Sequence, residues 1–288
     1  MDSDLVTLEN DSLRLQVARS FGPRIVSLNY KGGANLLAEL PDFVTRRPDG
    51  KIYRLYGGHR LWVAPEDHIR SYALDDRAVD IADTADGLLI RKPVEPETGI
   101  EKSMLISLAK GEAKLTITHR LTNRGPAAVE CAPWAITQVR KGGVAILPQA
   151  ITQTGLLPNR TVAFWPYSDI TSPHLKWGNR HLLVHAQPQP IFKIGFPNPR
   201  GWLAYWLEGT LFFKCSAYDA RAEYFDLGCS SECFCNDQFL ELETLAPKVN
   251  LAPGASTAHV ETWGLRGEVD FPKDEDALTA MMDAAGLK

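Results

Sequence analysis

Apolar and polar residues alternate with a period of two from one end of the chain to the other. Leu13-Arg14-Leu15-Gln16-Val17, Lys114-Leu115-Thr116-Ile117-Thr118-His119 and Phe239-Leu240-Glu241-Leu242-Glu243 each place every second side chain on one face, as half-buried β-strands do. Shorter apolar runs at 24–30, 182–185, 202–207 and 210–215 sit between glycine, proline or asparagine and read as further strands. Glu208-Gly209 between two such runs, and Lys31-Gly32-Gly33 after another, are hairpin signals, because glycine reaches positive φ without strain. Helical spacing is clear only near the end. There Lys273-Asp274-Glu275-Asp276 precedes Ala277-Leu278-Thr279-Ala280-Met281-Met282 and Gly286 follows, acidic at the start and glycine past the end. With no strand-helix-strand rhythm, doubly wound and (β/α) barrel folds are excluded. The pattern predicts an all-β protein of antiparallel sheets packed face to face, with a short C-terminal helix. The stretch 41–76 lacks strand character and is predicted to be a long structured loop.

Composition narrows this reading. The 288 residues are 44% apolar and 23% charged, enough for a substantial core. No linker divides them, so one domain over 1–288 is expected. A net charge of -4 offers no basic field for a phosphate backbone, so nucleic acid is not an expected partner. Met1-Asp2-Ser3-Asp4 has no leader character and no run approaches the roughly 18 apolar residues of a spanning helix, so no membrane partner is expected. An odd count of five cysteines suits a reducing compartment, and a cytoplasmic location is expected.

Several residues are candidates for chemistry. Glu241 and Glu243, two apart in a strand, project from one face, and neighbouring carboxylates disfavour mutual ionisation, which frees one for general acid-base work. A solvated outer sheet face is the alternative. His59, Arg60 and Trp62 follow a Gly-Gly turn and bring together a proton exchanger, a forked donor and a ring that can stack on a sugar. Arg60 paired to Glu66 or Asp67 in a structural loop is the competing reading. His119 shares the apolar face of Leu115, Ile117 and Leu121, as a core histidine would. Cys229, Cys233 and Cys235 lack zinc-site spacing and read as buried thiols. Lys193 and Lys214, cations inside apolar strands, either blunt sheet edges or face a cleft and take an anionic substrate group. Phosphate-loop, dinucleotide, serine-elbow and H-E-x-x-H motifs are absent from the sequence, so no cofactor or metal is expected.

Taken together, three segments resemble the galactose mutarotase-like superfamily and, more narrowly, a bacterial branch with the GGHRLW loop. They are Phe21-Gly22-Pro23-Arg24-Ile25-Val26-Ser27-Leu28 with Asn35-Leu36-Leu37, Gly57-Gly58-His59-Arg60-Leu61-Trp62, and Phe239 to Glu243 with Pro253-Gly254. The resemblance implies a β-supersandwich of two large antiparallel sheets, with a sugar or sugar acid in one curved face. It further implies a C-terminal glutamate that takes the anomeric proton while a histidine protonates the ring oxygen, with no cofactor. Glu241 corresponds best to that glutamate, Glu243 is its rival, and Arg60 corresponds to a substrate-holding arginine; Arg24 and Glu66 join it as candidate contacts. The strand that carries the acid histidine in the epimerases reads Pro133-Trp134-Ala135-Ile136-Thr137-Gln138-Val139 here. Gln138 donates a hydrogen bond but delivers no proton. His59 or His119 is therefore the expected acid, with Trp134 and Gln138 in the site. An aldose 1-epimerase-like mutarotase is the first expectation. A carbohydrate-binding protein without catalysis, or a lyase or glycosidase on the same scaffold, is the alternative.

Overall fold

The computed structural model describes residues 4–187 and 190–288; Met1, Asp2 and Ser3 of the N-terminal segment lie outside the described residues. The chain begins with β1 Leu5–Glu9, β2 Leu13–Ala18, β3 Arg24–Tyr30, β4 Glu39–Arg46, β5 Ile52–Gly57, β6 His59–Ala64, β7 Asp80–Thr84 and β8 Gly87–Arg91. Then come β9 Ile100–Leu108, β10 Lys114–Asn123, β11 Val129–Arg140, β12 Val144–Pro148, β13 Ala163–Phe164, β14 Leu175–Trp177 and β15 His181–His185. The last part holds β16 Phe192–Phe196, β17 Trp202–Leu207, β18 Thr210–Ser216, β19 Ser231–Cys235, β20 Phe239–Leu245, β21 Val249–Leu251, β22 Ser256–Arg266 and a helix Glu275–Ala284.

Two antiparallel sheets account for most of these strands. The first runs β1-β2-β3-β6-β11-β20-β19-β16-β13 with β21 beside β11, and the second runs β14-β15-β12-β17-β18-β22-β10-β9-β8-β7. Alternation drives their stacking. Leu13, Leu15 and Val17 of the first sheet meet Ile106, Leu115 and Ile117 of the second in one apolar core, joined by Leu240 and Leu242. Each sheet also has a covered outer face. The helix lays Leu278 and Met282, one turn apart, on Ile146, Trp202 and Phe213 of the second sheet. Asp274 caps that helix by accepting from the Ala277 amide. On the first sheet the covering element is the β4–β5 hairpin, whose Leu40, Tyr53 and Leu55 pack on Trp62, Trp134 and Phe239. No helix among the described residues is long and apolar enough to cross a membrane.

The expected hairpin at Glu208-Gly209 joins β17 to β18 with both residues at positive φ. The Lys31-Gly32 turn forms as well, but it leads away from the sheet, because β3 pairs with β2 and β6 and not with β4. The loop expected over 41–76 is corrected: it contains most of β4 and all of β5 and β6. β6 is buried at every position, so its polar residues hide the two-residue alternation that marks a half-exposed strand. Gly57 and Gly58 link β5 to β6 at φ 88° and 73°. A Cβ there would sit 2.0 Å from the Ala38 carbonyl oxygen and 2.1 Å from that of Ile25, so neither position admits a side chain.

Candidate functional site

Strand register builds the site as rows across the outer face of the first sheet. One row reads Arg24, Arg60, Ile136, Glu243, Glu232 and Gly195 across β3, β6, β11, β20, β19 and β16. A second reads Gln138, Glu241, Phe234 and Lys193, and a third pairs Trp62 with Trp134. Between these rows, the hairpin and the segments carrying Glu66, Tyr72, Tyr167 and Ile191 lies a cleft of about 330 Å³. Its size falls within the range of small-molecule sites. Arg60, Trp62, Glu66, Trp134, Lys193 and Glu241 all line it, so six of the sequence candidates converge.

Arg60 Nη2 donates to Glu241 Oε1 at 3.0 Å, and its guanidinium lies 4.5 Å from the Trp62 ring centroid. Arg60 Nε and Nη1 are buried and have no hydrogen-bond partner among the described residues. Trp62 is fixed in turn by its indole N–H donating to the Tyr53 hydroxyl at 3.0 Å. Glu66 accepts from the Tyr72 hydroxyl at 2.8 Å rather than pairing with Arg60. Lys193 Nζ stands 2.7 Å from Glu232 Oε2 and 3.1 Å from Glu243 Oε2, between the rings of Trp134 and Trp165 at 4.5 and 4.6 Å. Glu243, which also accepts from Trp134 Nε1 at 2.8 Å, is sealed behind these groups and does not line the cleft. Glu241 reaches it and Glu243 does not. Burial raises both Glu232 and Glu243 against the pull of Lys193, Glu243 to about 7, so the pair retains a proton near neutrality. Burial works against the charge of Lys193, but the two carboxylates outweigh it and raise the ammonium well above its ordinary value.

The sequence reading missed Tyr167 and Asn236 of the cleft lining, and it also missed Glu232. Glu232 lies in Ser231-Glu232-Cys233-Phe234-Cys235, and a carboxylate inside an apolar strand, in phase with Phe234, was the available signal. Two other candidates share the site face without lining the cleft. Arg24 donates through Nη1 to the carbonyls of Leu55 and Gly57 and pairs with Asp75, so it anchors the hairpin. Gln138 is fully buried beside Glu241, and its amide oxygen and nitrogen have no hydrogen-bond partner among the described residues.

His59, His119 and Lys214 lie elsewhere, which corrects the expectation that they meet Arg60 in one cleft. His59 is the strand neighbour of Arg60, so it points to the opposite face, into the space between the sheets. His119 on β10 and Lys214 on β18 enter that space from the second sheet. Lys214 occupies an interior strand, so it neither blunts an edge nor reaches the cleft.

These buried groups satisfy one another in a single direction. His119 Nδ1 donates to the His259 carbonyl at 3.1 Å, so its Nε2 accepts from His59 Nε2 at 2.7 Å. His59 Nδ1 then accepts from the Thr137 hydroxyl at 2.9 Å, which accepts from Lys214 Nζ at 3.0 Å. Lys214 also pairs with Glu261 at 2.7 Å. Burial keeps both imidazoles below their ordinary pKa and neutral, as this tautomer chain requires. Burial would raise Glu261, but Lys214 together with the surrounding imidazoles of His59, His119 and His259 outweighs it and holds the carboxyl below its ordinary range. His59, His119 and Glu261 carry ligating atoms within 4.8 Å of one another. The two nitrogens at 2.7 Å are closer than the roughly 3.3 Å that a tetrahedral ion with 2.0–2.1 Å bonds sets between its ligands. The cluster as it stands is a hydrogen-bond network.

No family model matches the chain, and no curated protein matches it in sequence. Solved structures do match in fold. A provisionally assigned aldose 1-epimerase from Escherichia coli K12 aligns with a TM-score of 0.56 at 16% identity over 91% of this chain and 99% of its own. A galactose mutarotase-like protein from Lactobacillus casei aligns at 0.54 and 10% identity over 91% and 100%. A TPR-domain containing protein from Parabacteroides distasonis aligns at 0.61 and 16% identity over 94% of this chain, which covers 48% of that longer protein. The chain has the galactose mutarotase-like fold.

Proposed function

We propose that the chain is a carbohydrate-active protein that interconverts sugar anomers, with Glu241 taking the proton from the anomeric hydroxyl. The observation that carries this reading is the Arg60–Glu241 pair at 3.0 Å in an aromatic-walled cleft on the outer face of the first sheet. Arg60 orients Glu241 through their hydrogen bond, Trp62, Trp134 and Tyr167 offer apolar ring faces, and Asn236 and Glu66 offer polar contacts to hydroxyls. The aldose 1-epimerase and mutarotase-like fold neighbours support the substrate class by analogy of fold alone. The five cysteines form no disulfide, which suits the reducing cytoplasm.

A second reading is a sugar-binding protein without catalysis. It is favoured by one observation: no histidine is among the described residues lining the cleft. NMR anomer-exchange spectroscopy over neutral hexoses, uronic acids and hexose phosphates separates the two. Exchange faster than buffer, lost in Glu241→Gln, supports the enzyme. Saturation transfer from a bound sugar without acceleration for any of them leaves the binding protein.

A further inference from the structure

We infer that Lys193, rather than any histidine, is the catalytic residue that protonates the ring oxygen, supplied by the buried Glu232–Glu243 pair; this rests on the anomer-exchange reading above. Position is the first ground. Lys193 and Glu241 lie in one row with only Phe234 of β19 between them, two strand spacings or about 9–10 Å between their backbones. Both long side chains line the cleft, so a pyranose ring between them meets a base on one side and a proton donor on the other.

Supply is the second ground. An ammonium held by two carboxylates is a poor acid by itself, but here both carboxylates are buried against it at 2.7 and 3.1 Å and burial raises them above their ordinary range, so a carboxyl proton stands beside the ammonium to replace the one it gives. Glu232 Oε1 and Glu243 Oε1 have no hydrogen-bond partner among the described residues. Trp134 and Trp165 flank the Lys193 ammonium, so exchange with bulk water is hindered on those two sides.

The step balances without a further reactant. Glu241 takes the O1 proton, C1 and O1 become a carbonyl, and the C1–O5 bond breaks with its electron pair going to O5. Lys193 gives O5 a proton and regains one from the carboxyl pair. After rotation about C1–C2, O5 attacks C1 again, its proton returns through Lys193 to the pair, and Glu241 returns the proton to O1. The groups facing the ammonium are Glu232 and Glu243 from β19 and β20, Glu66 and Tyr167 from over the cleft, Cys229 behind the pair, and Glu241 across it. Glu232 and Glu243 act through Lys193 and are positioning residues.

The test uses a sugar that the wild type accelerates, with Lys193→Met and Lys193→Arg compared by anomer exchange and by saturation transfer. Lys193→Met is expected to keep the bound-sugar signal and lose about 10²- to 10⁴-fold in exchange, the range for one general acid. Added propylammonium is expected to restore part of the loss in Lys193→Ala. Lys193→Arg keeps the charge but gives up no proton near neutrality, and it decides the case if Lys193→Met fails to fold. Exchange in Lys193→Arg as fast as in the wild type overturns the inference while leaving Glu241 as base. Glu243→Gln is expected to move the alkaline limb of the pH profile with KM unchanged, and an unmoved limb removes the carboxyl pair as the source. A wild type that accelerates no sugar removes the anomer-exchange reading itself, whatever the lysine variants do.

Discussion

Arg60 on β6 donates to Glu241 on β20 at 3.0 Å across the intervening strand β11, where Ile136 sits directly beside Arg60. A buried pair that spans two strand spacings locks three strands together as well as a base. Removing one partner leaves a desolvated charge, so Arg60→Met is expected to cost about 3–5 kcal/mol in urea unfolding. It should also abolish anomer exchange. A variant with wild-type stability would mean that the pair carries no structural weight.

Stability should respond to pH through the Glu232–Glu243 pair. Glu243 is pushed up from 4.5 to about 7 in the folded protein, so between those values the native state holds a proton that the unfolded chain has released. Stability from this source is full below that window and is lost as pH rises through it. Glu243→Gln should therefore flatten the fall in melting temperature across the same window. An unchanged slope would place the proton elsewhere.

Lys214 and Glu261 act with the opposite sign. A carboxyl held below its ordinary range contributes stability at neutral pH that is lost as acid protonates it. Lys214→Met should cost about 3–5 kcal/mol and bring acid unfolding to higher pH, while a Lys214→Met/Glu261→Leu pair recovers much of that. Recovery is the informative readout, because a cavity effect would add rather than cancel.

His59 separates two roles cleanly. His59→Leu leaves Thr137 and His119 without their buried partner and should cost about 1–3 kcal/mol, measured by denaturant unfolding. Sugar affinity should stay at the wild-type value. Weakened binding with intact stability would return His59 to the cleft.

Tyr167 tests the rim. It is about half exposed yet lines the cleft, so Tyr167→Ala should leave stability unchanged. If its ring stacks on sugar, titration should show affinity falling by about 0.5–1.5 kcal/mol, the range of an aromatic contact.

Much of this architecture is legible from residue order alone, for a physical reason. Strands with one wet face, such as Leu13–Ala18 and Lys114–Asn123, carry their geometry in alternating polarity, and the capped helix carries its own limits. β6 does not, because a strand covered on both sides loses that contrast, and so His59 and Arg60 read as loop neighbours in one cleft. Their opposite orientations follow once the strand is known. Glu241 and Glu243 do share a face as the period of two requires, but only the cross-strand register reveals Lys193 and Glu232 beside Glu243. Such partners, 11 and 50 positions away along the chain, leave no trace in local spacing.

The two glycines that join β5 to β6 bear on how this protein can change over generations. With the Ala38 and Ile25 carbonyls pressed against them, Gly57 and Gly58 admit no stepwise replacement, and Arg60 and Trp62 follow immediately in the same strand. Mutational exploration of what the cleft admits is thereby channelled to the rim, to Phe43, Thr45, Tyr167 and Ile191, while its floor is inherited as one block.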